Sequence, residues 1–222
     1  MSSYTPISTN ATSVTFATNK LIRNTYILLS MTLLFSAATA GASIMLNLPH
    51  PGLLITLVGY IGLLFLTHKL QNSVWGIAAV FALTGFMGLT LGPIVSMYLS
   101  LPNGGQLVMT ALGATGVIFL GLSGYALSTQ KNFSFMGGFL MTGILVAFLA
   151  GIGAFLFEIP MLSLVVSGMF VLLMSGLILY QTSEMIHGGE TNYILATVTL
   201  YVTIYNLFTS LLHLLGAFGG DD

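Results

Sequence analysis

Gln181, Glu184, His187, Glu190, Asn192, Thr203 and Asn206 crowd the last fifth of a 222-residue chain in which only 4% of residues are charged. Carboxylate, imidazole, amide and hydroxyl groups so grouped can line an ion path, hold a metal, move a proton, or close a turn between helices. The stretch Ile186-His187-Gly188-Gly189-Glu190-Thr191 could bring His187 and Glu190 together as ligands. Gly188-Gly189 also reads as a helix stop, with Thr191 or Asn192 capping the next helix, and the turn reading is preferred.

Other metal chemistry finds less support. His50, His68, His187 and His213 have no metal-ligand spacing to one another,. With no cysteine in the chain there is neither a disulfide frame nor a thiolate site,. A P-loop and a His-Glu-x-x-His pattern are absent too, so no cofactor is expected,.

The positions of these residues depend on the solvent around the chain. Hydrophobic residues make up 56% of it, whereas a soluble domain is roughly 25% charged. Such a chain cannot cover a water-facing surface, and its partner is the lipid bilayer. Four Lys/Arg against five Asp/Glu leave no basic patch for nucleic acid,.

A hydrocarbon core about 30 Å thick takes roughly 20 apolar residues per helix. Polar and Gly/Pro punctuation divides the chain into seven such runs: 24–46, 52–67, 74–99, 106–128, 134–157, 161–186 and 192–216. The expected fold is all-α, a seven-helix transmembrane bundle covering 20–222. Lys20, Arg23, Lys69 and Lys131 all fall on one side of it, which the positive-inside rule makes cytoplasmic,. The N-terminus is then cytoplasmic and the C-terminus, with Asp221 and Asp222, outside. The first run is too long, and its charges too far from the start, for a cleavable signal.

Residues 1–19, rich in Ser, Thr and Asn, have little to bury and are expected to form a mobile cytosolic tail,. The tail is either an inert end or a handle, at Met1, Ser2, Ser3 and Tyr4, for a processive protease.

With the spans placed, one enzyme reading falls away. Gly121-Leu122-Ser123-Gly124 superficially resembles the Gly-x-Ser-Gly of rhomboid proteases, but a nucleophilic serine needs a base within hydrogen-bond reach. Ser123 lies near the inner end of its helix and His213 near the outer end of the last. A rise of 1.5 Å per residue separates them by roughly half the membrane. No catalytic residue is assigned.

The last helix carries Thr199, Thr203, Asn206, Ser210 and His213 at helical spacing, hence on one face,. Gln181 and Glu184 share a face at the inner end of the sixth helix and could meet this stripe. Polar residues at membrane depth face the bundle interior or a wet cavity. An interhelical hydrogen-bond seam and a partly hydrated pocket both fit. No carboxylate lies in mid-membrane, which counts against a pump. Small-residue ridges at Thr84, Gly88 and Gly92, and at Gly143, Ala147 and Gly151, should let helices approach closely.

"GLSGYALSTQKNFSFMGGFL", "LILYQTSEMIHGGETNYI" and "LYVTIYNLFTSLLHLLG" together resemble the Bax inhibitor-1 family, over the chain from Lys20 to Gly216. The resemblance implies seven helices with the N-terminus inside. Some members are pH-sensitive calcium leak channels built on an Asp pair, in "LYDT" and "LYLDxxNLF" patterns. Here Gln181 and Thr203 stand at those two positions, and His213 replaces a usual Arg. Gln and Thr cannot share and release a proton as an Asp pair does, so calcium or proton passage is placed second, with Glu184 or His213 as possible stand-ins.

Some bacterial members of the family imply the other function. They are inner-membrane, multi-pass proteins that bind the AAA metalloprotease FtsH, are its substrates, and modulate it in membrane-protein quality control. Zinc and ATP would belong to that partner.

Overall fold

The computed structural model describes residues 8–219, with side chains from Phe16 onward. Its helices are α1 (Ser8–Met45), α2 (Leu53–Leu70), α3 (Trp75–Leu99), α4 (Gly104–Thr129), α5 (Gly137–Leu156), α6 (Pro160–His187) and α7 (Tyr193–Phe218), with a 3-10 turn, Ser134–Met136, before α5. All seven are long and apolar enough to cross a membrane. Helices satisfy every backbone group internally, which lipid requires. Much of the outer surface is bare hydrocarbon: Leu34, Leu54, Met141 and Leu172 are each more than 70% exposed.

Six of the helices match the runs read from the sequence to within a few residues. The first is different. α1 reaches back to Ser8, so residues 8–19 of the expected tail are helical. Between Ser8 and Gly41 there is no Pro or Gly to interrupt it. Met1, Ser2, Ser3 and Tyr4 lie outside the described residues, as do Asp221 and Asp222.

Local chemistry sets the other ends. Asn47, Gln130 and Glu158 take left-handed backbone conformations just past α1, α4 and α5, and Gly188 does the same past α6 at φ 80°. Pro160 opens α6, where a missing N–H costs nothing,.

Alternation of the helices puts the α2–α3, α4–α5 and α6–α7 connections at one end, with Lys69 and Lys131; we call it the basic end. α7 is the centre of the bundle and packs against α1, α2, α3, α4 and α6. α5 stands outside, on α6. α2 leans on α3, brushes α7, and comes nowhere near α5; Thr67 is its one buried residue.

The small-residue ridges explain two close helix approaches, α1 with α3 and α5 with α6. A Cβ at Gly88 would run into the Ser36 carbonyl and the Thr39 hydroxyl of α1, and one at Gly92 would sit 2.5 Å from Ser43 Cβ. On α5, a Cβ at Gly143 would lie 2.6 Å from Leu173 Cδ2 of α6, and Ala147 is wholly buried. These ridges join neighbouring helices within one bundle.

Candidate functional site

The polar face of α7 divides into two parts. Toward α1 and α3, the buried Tyr201 hydroxyl lies 2.6 Å from Ser36 Oγ and donates to the Thr84 carbonyl at 3.2 Å. One turn earlier, Thr197 Oγ1 donates to its own helix at Tyr193 and reaches the Thr25 carbonyl of α1 at 3.3 Å. This part is an interhelical hydrogen-bond seam, made by residues outside the stripe singled out in the sequence.

The stripe itself faces elsewhere. Thr203 Oγ1 donates to the Thr199 carbonyl at 2.7 Å, and Asn206 Nδ2 to the Val202 carbonyl at 2.8 Å. Both donors are thus satisfied by their own helix. Thr199, Thr203 and Asn206 form the floor of a cavity of about 690 Å³. Leu57, Tyr60 and Leu64 of α2 form one wall, Met141, Leu145 and Phe148 of α5 the facing wall, and α3 and α6 close the back through Phe86, Thr90, Phe170 and Met174. The cavity exists because α2 and α5 stay apart.

His213 and Ser210 do not line it. His213 Nδ1 pairs with Ser167 Oγ on α6 at 2.7 Å, and Ser167 also approaches the Ser163 carbonyl. Ser210 is buried further along α7. Ser123 bonds to Tyr26 of α1, so the serine of the Gly-x-Ser-Gly-like stretch and His213 have different partners.

Gln181 is buried on α6 with no hydrogen-bond partner for its Nε2 among the described residues, and it does not line the cavity. No hydrogen bond joins it to Thr203. Glu184 does not reach the α7 stripe through a hydrogen bond either. Its carboxylate lies over Gly189, where a Cβ would overlap it.

The α6–α7 turn is a built structure. Gly188 takes the left-handed conformation that ends α6, and the Glu190 N–H donates back to the Glu184 carbonyl at 3.1 Å. His187 folds onto Ser183 of its own last turn, Nδ1 lying 2.9 Å from the Ser183 carbonyl. Glu190 Oε1 accepts from the Asn192 N–H at 2.7 Å. His187 and Glu190 thus have separate partners.

Asn192 is the keystone of this end. Its Oδ1 accepts from the N–H groups of Ile194 and Leu195, capping α7, while its Nδ2 donates to the Gln71 carbonyl and to Asn72 Oδ1, each at 3.1 Å. Ser183 secures the remaining loop: its Oγ accepts from the Phe133 N–H at 2.9 Å and lies 3.3 Å from the Lys131 carbonyl. The α2–α3 and α4–α5 connections at the basic end are both braced from the α6–α7 region.

The sequence reading missed Tyr201, Ser36 and Thr25, and took Thr84 only as part of a small-residue ridge. A signal existed, since Thr197, Tyr201 and Tyr205 recur every four residues on α7. Their partners on α1 and α3 are remote in sequence and could not be paired without the fold.

The family profile described as Inhibitor of apoptosis-promoting Bax1 matches residues 18–220. The chain belongs to the Bax inhibitor-1 family. Within that family it is similar to the Modulator of FtsH protease YccA of Escherichia coli K12, at 53% identity over 200 residues, covering 90% of this chain and 91% of that one. The same figures hold for the protein of Escherichia coli O6:H1 named Inner membrane protein YccA. A membrane protein of Vibrio cholerae is 41% identical over 221 residues, 98% of this chain and 99% of the relative.

Proposed function

We propose that this protein sits in the bacterial inner membrane and modulates an FtsH-type protease, binding it and serving as its substrate. The observation that carries this reading is the 53% identity, along nearly the whole chain, to a protein named for modulating FtsH. The neutral centre is consistent with it: Gln181 and Thr203 carry no charge, and Thr203 spends its one donor on its own helix. The basic end, with Lys69 in the last turn of α2 and Lys131 on the braced α4–α5 connection, faces the cytoplasm by the positive-inside rule. The start of α1 is then on the side where a membrane-anchored AAA protease has its unfolding machinery, and the segment from Met1 to Tyr4 is the point of engagement.

The test is co-purification with FtsH from detergent-solubilised membranes, together with the chain's half-life in cells with and without active protease. Binding and FtsH-dependent turnover that both drop when residues 1–19 are removed are expected. A chain that neither co-purifies nor changes half-life overturns the proposal.

A second reading is cation leak, favoured by the cavity at membrane depth with Thr199, Thr203 and Asn206 on its floor. Glu158, Glu184 and Glu190 all lie near or beyond helix ends, so the cavity has no carboxylate to replace a cation's water. Calcium entry into dye-loaded proteoliposomes separates the readings. The natural protein is expected to be silent, and a pH-dependent leak from it would favour the channel.

A further inference from the structure

We propose that the cavity between α2 and α5 binds one acyl chain of a membrane phospholipid, entering sideways through the gap between these two helices.

The gap comes first. α2 and α5 do not approach each other, and Met141 and Leu145, on the α5 side of the gap, are 77% and 58% exposed. What surrounds these positions in a bilayer is hydrocarbon. The cavity therefore communicates with acyl chains along its length, without first crossing a headgroup layer.

The lining then decides what can stay. It contains no charged side chain, and aliphatic and aromatic groups dominate it. Three of its hydroxyl donors are consumed locally: Thr56 by the Gly52 carbonyl at 2.8 Å, Thr90 by Met87 at 2.9 Å and Thr203 by Thr199 at 2.7 Å. Asn206 Nδ2 is engaged in the same way. The Tyr60 and Thr199 hydroxyls, also in the lining, are not engaged in this way. Back-bonding reduces what the four bonded groups could offer to water, which is held by polar groups that lack other partners, and leaves an apolar lining with few free hydroxyls.

Size excludes the other occupant from the same solvent. A transmembrane helix of a partner is about 10 Å across and about 30 Å long, several times the volume available. A methylene group takes about the space of a water molecule, ~30 Å³, so a chain of about 16 carbons fits within 690 Å³. The volume also lies within the usual range for ligand sites of about 300–1,000 Å³. The occupant is a flexible chain.

This inference stands independently of the protease reading. To test it, Trp75, the only tryptophan, is replaced by Phe. A single reporter is then placed in the cavity wall by Phe170→Trp, or in a buried core away from it by Phe208→Trp. Each protein is reconstituted in phosphatidylethanolamine/phosphatidylglycerol vesicles whose acyl chains carry bromine. Quenching severalfold stronger at 170 than at 208, and falling toward the 208 level when Leu57→Phe/Leu145→Phe narrows the mouth, is the expected result. Equal quenching at the two sites, or quenching at 170 that the narrowed mouth leaves unchanged, overturns the proposal. Native mass spectrometry of the unmodified protein after delipidation gives a second readout that needs no variant to fold. One retained phospholipid supports the assignment; a bare chain, or one carrying a protein partner in place of lipid, overturns it.

Discussion

The hydroxyl of Tyr201 on α7 lies 2.6 Å from that of Ser36 on α1, fully inside the bundle and far from either end. The same oxygen donates to Thr84 on α3. One phenol thus ties the central helix to the two helices that pack most closely on each other through Gly88 and Gly92. Tyr201→Phe should lower stability by about 0.6–1.7 kcal/mol, the range found for side-chain hydrogen bonds in membrane bundles. A double-mutant cycle with Ser36→Ala, read by thermal unfolding in detergent, should show the two losses to be strongly non-additive.

Thr203 makes the opposite prediction. Although it is buried, its hydroxyl bonds only to its own helix. Thr203→Val keeps the shape and should change stability by less than about 0.5 kcal/mol, as expected where no tertiary interaction is removed. A large loss of unfolding temperature would mean that the hydroxyl has an interhelical partner.

Asn192 does two jobs that different substitutions separate. Asn192→Asp keeps the cap of α7 but loses the donor to Gln71 and Asn72; Asn192→Ala loses both. The alanine variant should cost about 1–2 kcal/mol, the upper part of the range for a lost cap. The aspartate variant should fall between it and the natural protein. Limited proteolysis at the 71–74 connection should show the same order.

Two pairs of glycines test close approach against backbone conformation. Gly88→Ala should destabilise the α1–α3 contact, because the new methyl meets backbone; Gly113→Ala, with nothing within 4 Å, should be neutral or slightly stabilising,. At the α6 terminus, Gly188→Ala is placed at φ 80° and should cost about 1–2 kcal/mol,. Gly189→Ala meets only the flexible Glu184 carboxylate, which can swing away, and should cost less. Unfolding temperatures of the four variants decide both comparisons.

What could be read from the sequence followed the range of the forces involved. Span positions depend on runs of apolar residues and local breakers such as Pro160 and Gly188, so six helices were legible to within a few residues. The start of α1 was not, because Ser, Thr and Asn are weak helix formers whose state depends on the helix they continue. The stripe Thr199–Thr203–Asn206 was legible as one face, but not whether it bonds across helices or to itself. The sequence offered a pocket along this stripe as one of two readings, but not its walls, which arise from a contact that α2 and α5 do not make.

The burial of α7 also sets an order of assembly. The helix on which α1, α2, α3, α4 and α6 converge is the last of the seven to leave the ribosome. Until it arrives, Thr25, Ser36 and Thr84 lack the partners that α7 brings, and the earlier helices can form only their mutual contacts, chiefly α1 with α3. A chain stalled or clipped before residue 193 would therefore hold six inserted helices around an unfilled axis, with its polar inner faces open to one another and to lipid. Completion of the bundle is a single late event rather than a gradual one.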